Sequence, residues 1–173
     1  MSDKPARPAW FARREISPFV LEDAEVDEIL RKATHAVVSW VTKDNKPVSA
    51  VVVYVLVDGV ITITSTTNRA KYHAWRRNPA ASFCIWDPEN IGRQVTLRGH
   101  VEIMQSAELL SRFTEIFLTQ RMGGPPSPER LAAEIAKFDA PDRHMMQLHV
   151  EKVLTHDLTR LFKAERDGTD VWS

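Results

Sequence analysis

Two runs rich in β-branched residues, SAVVVYVLV at 49–57 and VITITST at 60–66, are separated only by Asp58-Gly59. Val, Ile and Thr are stiff at χ1 and pack well on a pleated surface. An Asp-Gly pair between such runs suits the two positive φ angles of a type I′ turn. The middle of the chain is therefore an antiparallel hairpin, and the fold must be built around it. The first run is apolar on both faces, which predicts a central strand. The second alternates Ile with Thr, which places hydroxyls on one side.

Further strands are expected at 36–42, 80–86, 94–104 and 145–155. A turn at 43–46 carries Asp44 and Asn45, and a loop with Pro88 and Gly92 precedes residue 94. Helical periodicity occurs at 22–32 (Val26, Ile29, Leu30) and at 106–121 (Leu109, Leu110, Phe113, Ile116, Phe117). A helical stretch at 68–78 must end before Pro79. Ser127-Pro128 offers an N-cap and a first-turn proline for another helix. Mostly sequential strands with helices inserted predict a mainly β (α+β) antiparallel barrel and not a βαβ fold. Residues 1–32 read as an arm and short helix, and 33–173 as the barrel domain.

The chain has 173 residues, with 23 Lys plus Arg against 23 Asp plus Glu. That balance disfavours a nucleic-acid binder, which needs excess cations to displace counterions. The longest apolar run, 50–57, is far short of the roughly 20 residues that span a bilayer. No apolar stretch follows the basic N-terminal residues, so no secretory signal is expected. A single cysteine, Cys84, excludes an internal disulfide framework and fits the cytoplasm. None of the six histidines has metal-ligand spacing, so no metal site is expected. No Ser/His/Asp or paired-carboxylate arrangement can be argued, and no catalytic side chain is assigned.

The chemistry concentrates in TITSTTNRAKYHAWRRNP, residues 62–79. Thr64, Ser65, Thr66 and Thr67 are followed by Arg69 and Lys71 at the start of a short helix. Hydroxyls, a helix N-terminus and two cations suit an anionic phosphate. A plain ST-rich cap on a solvated helix is the competing reading.

The order of these features resembles the pyridoxamine 5′-phosphate oxidase-like split-barrel superfamily, with its FMN-binding-protein-like fold. Arg69-Ala70-Lys71 and Arg76-Arg77-Asn78-Pro79 are similar to motifs of its flavin/deazaflavin oxidoreductase branch. The resemblance implies that Lys71 holds a cofactor phosphate and that Arg69, Thr64, Ser65 and Thr66 supply further phosphate and ribityl contacts. It implies that Ala50, Val51, Val52 and Val53 run along the isoalloxazine edge, and that Gln94 contacts the cofactor. Ala70 replaces the arginine that the phosphate oxidases place before the lysine, which counts against pyridoxamine phosphate as substrate. The implied function is hydride transfer between deazaflavin coenzyme F-420, or alternatively FMN, and a small organic substrate. The implied assembly is a homodimer with the cofactor at its interface. A non-catalytic flavin, deazaflavin or haem carrier is the rival from another functional class.

Overall fold

The computed structural model describes residues 16–169 and residue 171. In it the central hairpin closes as its turn chemistry demands. Asp58 and Gly59 have φ of 52° and 80°, the left-handed values of a type I′ turn. The strands are β1 (His35–Val41), β2 (Pro47–Val53), β3 (Val55–Val57), β4 (Val60–Thr66), β5 (Ala80–Asp87), β6 (Asn90–Met104) and β7 (Arg143–Asp157). All pairs are antiparallel, in the order β2-β1-β5-β6-β7-β4-β3.

The expected strand at 49–57 is in fact two strands. The ladder stops at Tyr54, which is fully buried and donates its hydroxyl to the Leu30 carbonyl at 2.8 Å. Its amide bonds the Thr34 carbonyl at 3.1 Å. β2 and β3 consequently lie at opposite ends of the strand order while remaining adjacent in the chain. The sheet curls until its two edges meet at that corner, which is a split barrel. β2 is thus an edge strand and not a central one. Its double-sided apolarity serves another purpose: Val48, Ala50 and Val52 pack on the core, whereas Val51 stays 62% exposed.

Inside the barrel, Val38, Ile61, Ile63, Phe83, Ile85, Val95, Leu97 and Met146 form the main core with Trp75. Trp75 stacks on Phe83 at 5.9 Å and meets Trp40 edge-on at 6.0 Å. α1 (Asp23–Lys32) contributes Val26 and Ile29, and α2 (Ala70–Arg77) contributes Tyr72, Ala74 and Trp75. On the far side of the hairpin, α3 (Ala107–Met122) lays Leu110 and Phe113 on Val55, Val57 and Met145. Ser106 caps α3, and Ser127 caps α4 (Pro128–Phe138) with Pro128 in the first turn.

β6 and β7 each run for 15 residues and serve both halves of the barrel. Their register slips at Arg98/Gly99. A Cβ at position 99 would stand 1.9 Å from the His149 carbonyl oxygen, so only glycine permits this approach. β6 begins at Asn90, four residues before the expected start, because the β5–β6 connection is a tight turn. A last helix, α5 (Leu158–Arg166), was not anticipated. Asp157 accepts from the amides of Thr159 and Arg160 at 3.0 Å, and Leu161 anchors it. No helix among the described residues is long and apolar enough to cross a membrane.

Candidate functional site

β4 carries its residues to alternate faces. Ile61 and Ile63 enter the core, and buried Ser65 shares their side. Thr64 and Thr66 point the other way, so the structure brings those two hydroxyls together and turns Ser65 from them. Thr64 Oγ1 donates to the His144 carbonyl at 3.2 Å, and Thr66 Oγ1 bonds Asn68 at 2.6 Å.

The hydroxyls do not cap the helix that follows. Arg69 is the N-cap of α2, in extended conformation, and no side chain accepts from the first turn. The hydroxyls therefore do not act as caps among the described residues, and the first amides of α2 have no side-chain acceptor there. Lys71 is half-buried, while Arg69 is exposed. Burial first, and the Arg69 charge second, push the Lys71 ammonium below the usual lysine range. Among the described residues neither cation has a carboxylate partner. A desolvated, uncompensated cation is unfavourable in the free protein and favourable once an anion arrives. The residues therefore fit a phosphate group.

Arg143, which sequence reasoning missed, joins this cluster. It opens β7 opposite Thr66 and donates from Nη1 to Thr64 Oγ1 at 3.3 Å. Its guanidinium lies 4.9 Å from the Phe138 ring centre, and its Nε is buried with no hydrogen-bond partner among the described residues. Nothing local in the sequence marks it; only the β4–β7 register does.

The remaining expected residues lie on the other half of the sheet. Ala50 and Val52 face the core, and Val51 and Val53 face outward. Among the described residues β2 pairs only with β1, so its other edge is open backbone there. Val51 lies in register with Val37, Cys84, Thr96 and Leu154, a largely apolar row across five strands. Gln94 lies on the same outward face, in register with Trp86 and His156, and the Cys84 thiol approaches its Oε1 at 3.8 Å. The phosphate-type cluster and this face are thus two separate surfaces of one chain. Among the described residues no group of three or more His, Cys, Asp or Glu side chains could hold a metal ion.

No curated protein is detectably similar to this chain. Solved structures are. A conserved hypothetical protein from Mycobacterium tuberculosis superposes with a TM-score of 0.74 at 20% identity, covering 87% of this chain and 93% of its own. An F-420 reductase superposes with a TM-score of 0.53 at 25% identity, covering 74% and 94%. A pyridoxamine 5′-phosphate oxidase-related, FMN-binding protein from Nostoc punctiforme PCC 73102 gives 0.59 at 13%, covering 79% and 84%. The profile of the pyridoxamine 5′-phosphate oxidase family matches residues 22–157. With its curled antiparallel sheet and this match across most of its length, the chain belongs to that family.

Proposed function

We propose that the protein is an oxidoreductase that binds deazaflavin coenzyme F-420, with FMN as the alternative, and passes a hydride between that cofactor and a small organic substrate. The observation that carries this reading is the uncompensated, half-buried Lys71 beside Arg69 at the uncapped start of α2. The likeness to an F-420 reductase, at 25% identity, favours the deazaflavin. Ala70, in place of the oxidase arginine, weighs against pyridoxamine phosphate as substrate.

Redox chemistry belongs to the cofactor ring, and the protein binds and orients it. Arg69 and Lys71 hold the phosphate, the hydroxyls of Thr64 and Thr66 contact it and the ribityl chain, and Ser65 contributes beside them. Ser65 does so only through backbone, since its side chain is buried. The residues Ala50 to Val53 offer the open backbone edge of β2, with Ala50 and Val52 anchored in the core. Gln94 belongs to the outward face, which a second copy covers. Val37, Val51, Val53 and Leu154 make that face too apolar to stay in water, so the cofactor site is completed by a two-fold partner.

Titration calorimetry with F-420, and again with FMN, tests the reading. Lys71→Ala is expected to weaken binding by roughly 1.5–3 kcal/mol, one to two decades in Kd. Lys71→Arg recovers part of it, since charge persists with altered geometry. Arg76→Ala, an exposed residue over the Tyr72 ring, changes little. Equal affinities for wild type and Lys71→Ala would overturn the phosphate assignment. A monomeric mass at micromolar concentration would remove the shared site.

A further inference from the structure

One row beyond Val51 the outward face changes character. Ser49, Ser39, Ser82, Arg98 and Lys152 lie in register across β2, β1, β5, β6 and β7. Arg98 and Lys152 are direct cross-strand neighbours, a placement that destabilises a sheet when the charges are alike. Both are exposed, and among the described residues neither has a carboxylate partner. Besides Trp40, Val41, Pro47 and Glu151, the side chains lining the hollow beside them are small. Ser39, Ala80, Ser82 and Gly99 line a cleft of about 570 Å³ that Arg98 and Lys152 border.

A third cation lies nearby without lining the cleft. Arg77 of α2 donates from Nη2 to the Val41 carbonyl at 2.6 Å, and Val41 lines the cleft. Arg77 too has no carboxylate partner among the described residues. The one acidic side chain lining the cleft, Glu151, is already engaged: its Oε1 bonds His100 Nδ1 at 2.8 Å. Two cations, Arg98 and Lys152, and the hydroxyls of Ser39 and Ser82 thus border a hollow whose remaining lining, Glu151 apart, is Ala80, Ala81 and Gly99 with Trp40, Val41 and Pro47.

We propose that this hollow is a second anion site, separate from the Thr64–Lys71 cluster, which takes a phosphate group. A guanidinium and an ammonium supply charge-assisted hydrogen bonds, and Ser82 with one hydroxyl of the Ser39–Ser49 pair, whose oxygens lie 2.9 Å apart, supplies neutral donors, the set that a tetrahedral oxyanion satisfies. The site does not depend on the identity of the redox cofactor.

Inorganic phosphate is the probe, with binding read by calorimetry and by thermal shift on the full chain. Arg98→Gln and Lys152→Gln are each expected to weaken phosphate binding about tenfold, and the double variant to abolish it at the hollow. Lys71→Ala should leave that component of binding intact. In phosphate-free buffer Lys152→Gln should raise the melting temperature, because it removes a like-charge pair. Phosphate binding that vanishes with Lys71→Ala and survives the double variant would overturn the proposal. So would a double variant that dissociates a dimer while phosphate affinity stays unchanged, since the cations would then pair with the second copy.

Discussion

Arg93 lies between Glu25, Asp87 and Asp157, whereas Lys71 has, among the described residues, another cation, Arg69, close beside it and no carboxylate partner. Arg93 reaches Glu25 at 3.1 Å and Asp87 at 2.8 Å, and both aspartates are buried. Arg160 adds contacts to Glu25 at 2.7 Å and to Asp157 at 3.2 Å, and Lys32 reaches Asp87 at 3.5 Å. This cluster ties α1, the β5–β6 turn and the start of α5 together. Every charge in it is answered within the chain, so it is architecture. Among the described residues the cations after β4 are unanswered, and that contrast is the ground for the proposed phosphate site. Burial alone would not separate the two clusters; their pairing does.

The sharpest way to break this comparison is Arg93→Ala. It leaves Asp87 and Asp157 buried with fewer counter-charges, and urea unfolding should show a loss of about 2–3 kcal/mol. Lys71→Ala, measured the same way without cofactor, should show none. A comparable loss at Lys71 would mean that its charge is structural.

The acid limb of stability gives a smaller effect. The Glu89 amide, followed by Lys32 and Arg93, holds the Asp87 carboxyl below the usual range. The Glu22 amide, with Arg160 and Arg93, does the same for Glu25. Carboxylates lowered on folding stabilise the protein above their unfolded values of about 4, and that gain is lost as pH falls through the folded ones. The wild-type urea midpoint should therefore fall below about pH 4. Arg93→Ala should fall less steeply, and an equally steep fall would place the acid sensitivity elsewhere.

The smallest effect belongs to Lys71 itself. Its ammonium is disfavoured by folding, so the unfolded chain binds the proton better and stability rises with pH through the folded value. Lys71→Met should stabilise cofactor-free protein at pH 7 by less than about 1 kcal/mol, with the advantage vanishing near pH 10. A destabilised Lys71→Met would indicate a partner for the ammonium in the free protein.

Local chemistry was legible where a single turn or cap decides it. Asp58-Gly59 adopts the I′ geometry, and Ser127-Pro128 starts a helix. Helix α5 carries an equally local signal, since Leu158 and Leu161 follow a capping aspartate. The run at 49–57 was misjudged for a physical reason: exposed valines on an edge strand and buried valines on a central one have the same residue pattern. Whether Val51 is covered depends on what stands beside the sheet, which one chain's sequence does not state.

The sequence by itself determined the alternation that sorts Ile61 and Ile63 from Thr64 and Thr66, the hairpin, and the cations gathered after β4. Those properties depend on residues a few positions apart, where propensity and side-chain period act directly. The tertiary structure alone decided that Arg143 joins Thr64, that Ser65 turns inward, and that Arg98 meets Lys152 across a row of serines. It alone decided that Arg93 is answered and Lys71 is not. These are matters of register between strands far apart in the chain, and register is set by the packing of the whole core.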